Sequence, residues 1–283
     1  MIKSEPISFV LPLLKYDALG SKTVSSLLSV FAHSEVIIVV PPEVEVSIAY
    51  ANSTVIHQVP NGVYAAYNLG LHSARGSWVS FLGSGDRFIS GANKIVNKRI
   101  ADSKESEFIS FRSAWVKTFG LLPKVSKVRQ DDPWGPGILA TGMPFSHQSI
   151  FTRRESLIEM GGFSEKFKIS SDFEFLCRSY LAGLKAKSFS EVISLVDPTG
   201  ISSSDPHLII SEHIEIITSQ FPGLTSNDAE LLLRWSRGWG AKPDIQLKNK
   251  KLSSVIHDIE EKLSQTRKPS NGLRIGARHF TLP

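Results

Sequence analysis

Residues 35–40 read Glu-Val-Ile-Ile-Val-Val, an apolar run rich in β-branched side chains that does not alternate with polar residues. A strand with one face in water alternates apolar and polar side chains, so an unbroken run is typical of a strand covered on both faces. Such strands occur in parallel sheets with helices packed on each side. The run therefore favours an α/β architecture with this strand inside the sheet.

Patterns typical of strands and helices alternate on both sides of this run. Residues 7–12 predict a first strand that ends at a proline, and residues 21–31 predict a helix with one apolar stripe. A weaker strand is predicted over 54–59, a second helix over 63–74 and a further strand from residue 78. Alternation of this kind implies parallel strands joined by helices. The predicted fold class is α/β, with a doubly wound, mostly parallel sheet.

The pattern changes near residue 205, after which apolar residues recur at helical spacing. We predict helices over 208–219, 229–235 and 253–263. A chain of 283 residues is long enough for one good core with an appended subdomain. We therefore predict a sheet domain over 1–204 and a C-terminal helical extension with a basic tail over 205–283.

The net charge of the chain lies in its last segment. Residues 241–283 hold nine basic and four acidic residues and so carry a net charge of +5. This is the net charge of the whole chain, so residues 1–240 are neutral overall. Proteins that bind nucleic acid usually carry a basic patch on the folded domain, and we predict no nucleic-acid partner. The helix over 253–263 is amphipathic and has basic residues on either side. It could lie on an anionic membrane surface or pack as an ordinary docked segment.

The chain contains one cysteine, Cys177. One cysteine excludes an intramolecular disulfide framework and suits a reducing compartment. Its neighbours Phe175, Leu176 and Tyr180 predict a packed thiol rather than a nucleophile. The first residues lack the features of a signal peptide, and no apolar run approaches the length of about 18 residues that spans a membrane. We predict a cytoplasmic protein, with contact of the basic segment to the inner membrane as an open alternative.

Residues 78–88 join an apolar strand to two glycines and a carboxylate, in the order Trp-Val-Ser-Phe-Leu-Gly-Ser-Gly-Asp-Arg-Phe. Ligands of open α/β sheets bind beyond the carboxyl ends of the strands, where Asp86 would lie. Gly83 and Gly85 lack a Cβ and would let a bulky anionic ligand approach the backbone. A tight turn with a solvated aspartate is the alternative interpretation.

A second pair of carboxylates, Asp172 and Glu174, follows Ser170 and Ser171. A serine N-cap with carboxylates in the first helical turn is ordinary capping chemistry, which alone would explain these residues.

Residues 120–148 are rich in proline and glycine and predict a long loop. A loop of this length in a compact domain is more often functional than not. Within it we interpret Asp131 and Asp132 as solvated loop acids rather than metal ligands.

Six short blocks occur in order along the chain. They are Asn-Gly-Val-Tyr-Ala-Ala-Tyr-Asn-Leu-Gly at 61–70, Ala-Arg-Gly-Ser-Trp-Val at 74–79, Phe-Leu-Gly-Ser-Gly-Asp at 81–86, His-Gln-Ser-Ile-Phe at 147–151, Gly-Gly-Phe at 161–163 and Ser-Asp-Phe-Glu-Phe at 171–175. Each block alone is weak, but together they resemble the family 2 glycosyltransferases, in particular the bacterial polysaccharide-assembly branch. The resemblance covers about residues 7–200 and implies a catalytic domain of the GT-A nucleotide-sugar transferase type over 1–204.

The resemblance implies roles for residues on the donor side. Asp86 would coordinate Mn²⁺ or Mg²⁺ on the diphosphate of a nucleotide-sugar donor, and Pro12, Ser84 and Gly85 would also face this donor. Asp172 matches the carboxylate that acts as general base on an acceptor hydroxyl. A single displacement of this kind inverts the anomeric carbon.

On the acceptor side, the resemblance implies contacts from His147, Gln148 and Glu174 to a glycan or lipid-linked acceptor. A structural hydrogen-bonding role is the alternative for His147 and Gln148.

The sequence departs from the family pattern where the donor would bind. Val39 and Val40 run into Pro41, where the family usually carries a carboxylate that binds the nucleobase, and Gly85 replaces the first acid of the aspartate pair. These departures leave the donor open and raise the alternative of a non-catalytic relative that binds a glycan or a partner. A different nucleotide-binding enzyme such as a methyltransferase is disfavoured, because no Gly-x-Gly-rich loop follows the first strand.

Overall fold

The computed structural model of the chain describes residues 5–48, 50–58, 61–119, 122–129, 132–196, 205–245 and 249–266. The strands are β1 (Ile7–Pro12), β2 (Glu35–Val40), β3 (Ser53–His57), β4 (Trp78–Phe81), β5 (Arg87–Phe88), β6 (Phe108–Phe119), β7 (Leu122–Val128), β8 (Ile150–Arg153) and β9 (Ala186–Val196). The α-helices are α1 (Ala18–Val30), α2 (Val63–Ser73), α3 (Ala92–Ala101), α4 (Ile138–Thr141), α5 (Arg154–Glu159), α6 (Ser171–Leu181), α7 (Pro206–Gln220), α8 (Ser226–Ser236) and α9 (Lys250–Thr266). His147–Ser149 form a short 3-10 helix.

Strand β1 lies inside the sheet between β2 and β4, and both pairings are parallel. β3 pairs with the other side of β2, again in parallel. The strand order is β3-β2-β1-β4-β8-β6-β9-β5, with β7 paired to β6. Residues 36–40 of β2 are all buried, as expected for a strand covered on both faces. The predicted α/β class with a doubly wound, mostly parallel sheet is confirmed, and the C-terminal helical extension is present as α7, α8 and α9.

The second half of the sheet adds antiparallel pairings. β8 is antiparallel to both β4 and β6, β5 is antiparallel to β9, and β6 is parallel to β9. The predicted loop over 120–148 is wrong in part, because β7 pairs antiparallel with β6 and because α4 and the 3-10 helix lie within the same stretch. Residues 186–196 form one continuous strand, β9.

Helices pack on both faces of the sheet. On one face, Phe9 of β1 lies in a buried cluster with Leu27 of α1. On the other face, Val10 lies in a cluster with Tyr64 and Tyr67 of α2. Successive side chains of a strand point to opposite faces, so β1 contributes to two cores at once. This packing brings the two tyrosines of α2 close to the strand ends where the candidate site lies.

The C-terminal helices share a core with the sheet domain. Phe173 and Cys177 of α6 lie in one buried cluster with apolar residues of α7, α8 and α9. The apolar stripe of α9 supplies Leu252, Val255 and Ile259, which are buried. The thiol of Cys177 is packed as predicted, and burial raises its pKa well above the usual range. The division of the chain between residues 204 and 205 stays a prediction.

Polar contacts also hold α9 against the protein. The backbone N–H of Gly137 donates to Asp258 Oδ2 at 2.7 Å, and Lys262 Nζ lies 2.7 Å from Asp132 Oδ1. Asp132 is therefore a half-buried ion-pair partner and not a solvated loop acid, whereas Asp131 lies outside the described residues. Because the apolar stripe of α9 faces the protein, a membrane contact would have to use the basic residues. In the part of the chain that the structure describes, no helix is both long enough and apolar enough to cross a membrane.

Helix α2 packs so closely on β1 that Gly70 has no room for a side chain. A Cβ on Gly70 would lie 2.2 Å from Val10 Cγ1. Glycine inside a helix is usually destabilising relative to alanine by about 0.5–1 kcal/mol, so Gly70→Ala should stabilise the helix if space allowed it. Overpacking a buried site costs about 1–3 kcal/mol and should reverse that sign. We expect Gly70→Ala to lower the free energy of unfolding in urea, while Ser73→Ala, at an exposed position of the same helix, leaves it nearly unchanged. A more stable Gly70→Ala variant would contradict this packing.

Candidate active site

The ends of β1 and β4 leave the sheet at the same edge. The two strands are parallel neighbours with Val10 opposite Phe81, and the N–H of Leu82 donates to the carbonyl of Val10 at 3.1 Å. The half-buried Pro12 therefore ends β1 beside the segment that follows β4. This edge is where ligands of open α/β sheets bind.

The segment after β4 forms a tight turn closed by Asp86. The N–H of Gly83 donates to Asp86 Oδ2 at 2.8 Å, and the N–H of Asp86 donates to the Gly83 carbonyl at 3.3 Å. Gly85 has φ of +97°, which favours glycine, and its N–H donates to Thr23 Oγ1 of α1 at 2.8 Å. Asp86 is buried and Ser84 is exposed. The tight turn given as the alternative is therefore present, but Asp86 is 3% exposed rather than solvated, and the turn holds its carboxylate in a fixed place.

Asp172 lies in the first turn of α6, within reach of two other elements. Its Oδ1 accepts hydrogen bonds from the Tyr64 hydroxyl at 3.1 Å and from the N–H of Phe173 at 2.8 Å. Its Oδ2 lies 3.6 Å from His147 Nδ1. The structure thus brings together Asp172 and His147, which the sequence separates by 25 positions, and adds Tyr64 to them.

His147 is enclosed by aromatic rings. Its ring centroid lies 5.9 Å from that of Phe81 and 5.4 Å from that of Tyr67. Burial lowers the pKa of His147, and the nearby Asp172 opposes this effect. The imidazole is therefore neutral near pH 7, and its Nε2 has no hydrogen-bond partner among the described residues. A neutral imidazole that presents one nitrogen to a carboxylate can orient that carboxylate or a neighbouring hydroxyl group.

Tyr67 of α2 links the turn after β4 to His147. Its hydroxyl lies 3.5 Å from the Leu82 carbonyl oxygen, and its ring centroid lies 5.4 Å from that of His147, whose Nδ1 is 3.6 Å from Asp172 Oδ2. The turn after β4 and the start of α6 therefore face the same space. Burial is the main cause that raises the pKa of Tyr67 far above its usual range, and the negative charges of Asp86 and Asp172 raise it further. Tyr64 and Tyr67 are three residues apart and share one face of α2. This spacing is the signal from which the sequence could have placed them in the site.

Two predicted acceptor-side residues have structural partners. Gln148 accepts a hydrogen bond from Ser146 Oγ at 3.3 Å. Glu174 forms a bidentate pair with Arg178, at 2.9 and 3.0 Å, and Arg178 also donates to the Gly162 carbonyl at 2.8 Å. This network ties α6 to the turn after α5. Contacts of Gln148 and Glu174 to an acceptor stay predictions.

Glu212 of α7 also belongs to the surroundings of the site, although no sequence pattern indicates it. This carboxylate is buried and accepts hydrogen bonds from three backbone N–H groups just before α6. Glu212 is 40 positions from Asp172, and its neighbours predict only a helix. A contact to remote backbone N–H groups leaves no local signal in the sequence.

Comparison with solved structures identifies the fold of the chain. A crystal structure of S. aureus TarS 1–349 in complex with UDP matches with a TM-score of 0.59 and 15% sequence identity, and the match covers 93% of this chain and 92% of that one. The UDP-GlcNAc complex of TarS 1–349 matches with a TM-score of 0.59 and 15% identity over 89% and 79% of the two chains. A crystal structure of S. aureus TarS matches with a TM-score of 0.57 and 16% identity over 93% and 49%.

At this level of identity the likeness shows the fold, which is the GT-A nucleotide-sugar transferase fold expected from the resemblance. No protein-family model and no curated protein matches the sequence.

The buried His213, which packs on Phe173 next to Asp172, makes the stability of the site dependent on pH. Burial and the nearby Arg237 lower the pKa of His213 to about 3, from an ordinary value of 6.5. Between these values the unfolded chain binds a proton that the folded chain does not, so the free energy of unfolding falls as the pH is lowered from about 6.5. One such group contributes about 1.4 kcal/mol per pH unit.

We expect His213→Gln to remove about this slope from urea unfolding measured between pH 4.5 and 6.5. His207→Gln, at an exposed position of the same helix, should retain the wild-type dependence. An unchanged slope in His213→Gln would show that this histidine is not held in its neutral form.

Proposed function

We propose that the protein is a glycosyltransferase that moves a sugar from a nucleotide-diphosphate donor to a hydroxyl group of a glycan or lipid-linked acceptor. The observation that carries the proposal is that Tyr67 connects two carboxylate sites at the carboxyl ends of the parallel strands. Its hydroxyl lies 3.5 Å from the Leu82 carbonyl in the turn closed by Asp86, and its ring packs on His147, which lies 3.6 Å from Asp172. One carboxylate lies in a turn suited to a diphosphate, and the other lies at the start of a helix beside a neutral histidine. This arrangement offers separate places for a leaving group and for a base.

The structural neighbours support a nucleotide-sugar donor. TarS is a family 2 glycosyltransferase, and its structures include complexes with UDP and with UDP-GlcNAc. Uridine nucleotides are therefore the first donors to test. Val39 and Val40 are followed by Pro41, so the carboxylate with which the family binds the nucleobase is missing here. Because the base is therefore not specified, GDP- and dTDP-sugars belong in the same screen. We place the reaction in polysaccharide biosynthesis, following the branch that the sequence blocks resemble.

Asp172 is proposed to act as the general base. The Phe173 N–H donates to Oδ1 and the Tyr64 hydroxyl lies 3.1 Å from the same oxygen. These contacts fix the carboxylate with Oδ2 3.6 Å from His147 Nδ1. As the acceptor oxygen forms its bond to the anomeric carbon, the bond from that carbon to the diphosphate breaks and the hydroxyl proton passes to Asp172. A single displacement inverts the anomeric carbon. His147, next to Asp172, is placed to orient the acceptor hydroxyl.

A Mn²⁺ or Mg²⁺ ion is proposed to bind with the donor at Asp86. In the described part of the chain, no group of three or more histidine, cysteine, aspartate or glutamate side chains could hold a metal. Mg²⁺ commonly binds to one or two carboxylates together with substrate phosphates, so Asp86 fits an ion that is shared with the diphosphate. Such an ion would offset the negative charge that develops on the departing diphosphate. Ser84 and Gly85, in the same turn, would lie along the diphosphate.

The reaction is proposed to take place in the cytoplasm. The single cysteine, Cys177, has a buried thiol, which agrees with a reducing compartment. Contact with the inner membrane would use the basic residues that flank α9, because its apolar stripe packs on the protein. Contact of this kind would bring the site close to a lipid-linked acceptor.

Replacing the proposed base should abolish transfer without abolishing donor binding. We expect Asp172→Asn to lower the rate of sugar transfer, or of donor hydrolysis, by about 10²–10⁴-fold, because general-base catalysis contributes this much. The donor screen uses UDP-, GDP- and dTDP-sugars with Mn²⁺, and NMR of the product reports whether the anomeric carbon is inverted.

Asp228→Asn is the matched control, since Asp228 is also a carboxylate in the first turn of a helix, where it forms a capping box with Thr225. This variant should retain the rate. Equal activity of Asp172→Asn and the wild type would remove the assigned base, and a wild type that binds donors without turning them over would support the non-catalytic alternative.

Metal binding should depend on the nucleotide. Because Asp86 offers one side-chain ligand group, calorimetric titration of Mn²⁺ should give little heat with the free protein and clear binding when UDP, GDP or dTDP is present. Asp86→Asn should abolish the nucleotide-dependent binding, whereas Asp102→Asn, at an exposed position after α3, should not. Equal Mn²⁺ binding with and without nucleotide, or binding retained in Asp86→Asn, would contradict this site.

A further inference from the structure

The backbone just before α6 is held by one buried carboxylate from the C-terminal extension. The N–H of Lys168 donates to Glu212 Oε1 at 2.7 Å, and the N–H groups of Ile169 and Ser170 donate to Oε2 at 3.0 and 2.9 Å. Three consecutive N–H groups that converge on one anion form a backbone nest. This nest ends two residues before Asp172.

Glu212 binds the backbone N–H groups of the N-cap residue of α6 and of the two residues before it. Ser170 is the N-cap residue of α6, but its side chain makes no capping hydrogen bond, and its hydroxyl has no partner among the described residues. Glu212 is 7% exposed. A buried carboxylate is costly unless hydrogen bonds compensate it, and hydrogen bonds to a charged acceptor are about twice as strong as neutral ones. Apolar packing alone would not require a carboxylate here.

The same segment is held from its opposite side by Tyr64. The Tyr64 hydroxyl lies 2.6 Å from the carbonyl of Ile169 and 3.1 Å from Asp172 Oδ1. Glu212 thus binds the N–H side of the segment and Tyr64 binds its carbonyl side. Displacement of this segment would move the Ile169 carbonyl relative to Tyr64 and would change the orientation of Asp172.

Apolar packing fixes the helix that carries Glu212. Ile216 and Ile217 of α7 are fully buried in the cluster that contains Phe173, and the ring centroid of His213 lies 4.7 Å from that of Phe173. Glu212 therefore belongs to a well-packed helix that contacts Phe173, the residue directly after Asp172.

We propose that Glu212 is a positioning residue for Asp172, so that the C-terminal extension is a working part of the active site. The catalytic part of this proposal rests on the proposed transferase function. Glu212 touches neither the donor nor the acceptor. It acts by holding residues 168–170, and through them the first turn of α6, in the geometry that aligns Asp172 with Tyr64 and His147. Small misplacements of a catalytic group can lower rates by about 10²-fold.

The test compares Glu212→Gln with Glu215→Gln. Glutamine keeps the size of the side chain but replaces one acceptor oxygen with an N–H donor, which would face a backbone N–H. Glu215 lies on the same helix and pairs with Lys166, two residues before the segment, at 2.5 Å, but its side chain is 51% exposed. Exposed ion pairs contribute little, so Glu215→Gln serves as the control.

Two readouts are measured on the full chain. Hydrogen exchange followed by mass spectrometry should show that peptides containing residues 168–170 lose protection by about tenfold or more in Glu212→Gln and remain near wild type in Glu215→Gln. With a donor found in the screen, Glu212→Gln should lower kcat by about 10²-fold and leave the donor KM nearly unchanged. If Glu212 only stabilised the fold, Glu212→Gln would lower the amount of folded protein but not the kcat of the folded fraction. Rates are therefore normalised to folded protein.

Each outcome decides a separate point. Unchanged exchange at 168–170 would overturn the contact between Glu212 and this segment, whatever the enzyme does. Lost protection with an unchanged kcat would overturn the positioning role. A wild type without transfer activity would overturn the proposed function and the catalytic part of this inference, while the exchange data would still decide the contact. If Glu212→Gln does not fold, Glu212→Asp, which keeps the charge on a shorter side chain, is measured in the same way and should show a smaller loss in both readouts.

Discussion

The position of the whole site depends on strand β1, which pairs in parallel with both β2 and β4. The first five residues of β1 are buried, and both neighbouring strands run in the same direction, so their carboxyl ends must meet at one edge of the sheet. The turn that holds Asp86 lies at this edge because it follows β4. The face of β1 that contacts α2 brings Tyr64 and Tyr67 to the same place. The site is therefore a consequence of burying one strand on both faces.

The charged groups at this edge are each held by local donors. Asp86 accepts from a turn N–H, Asp172 accepts from Tyr64 and from its own helix, and Glu212 accepts from three N–H groups. Groups fixed in this way need little reorganisation when charge develops during a reaction, which is the main source of electrostatic catalysis. The last of these contacts crosses from the helical extension to the sheet domain. The helical extension therefore contacts the segment that leads into α6, the helix that carries Asp172.

Much of the sheet could be predicted from the sequence because its signals are local. The unbroken apolar run of β2 and the apolar residues before Asp86 indicate buried strands by composition alone. β7 could not be predicted because it lies in a longer stretch, 120–148, whose prolines and glycines indicate a loop, and because it is stabilised by pairing with β6. Packing of α9 on the protein could not be distinguished from membrane contact by sequence, since the same apolar stripe could face the protein or a membrane. Glu212 could not be found because its donors are remote backbone N–H groups, which carry no residue signature.

The proposed function requires that a nucleotide diphosphate binds at the edge formed by Pro12 and the turn at Asp86. Its most direct test is the midpoint of thermal unfolding, measured with Mn²⁺ and a panel of UDP-, GDP- and dTDP-sugars. A ligand present at 100 times its Kd stabilises the folded state by about 2.7 kcal/mol, whatever the acceptor is. We expect a saturable rise of several degrees for at least one nucleotide class. A midpoint unchanged by every nucleotide at millimolar concentration would contradict it.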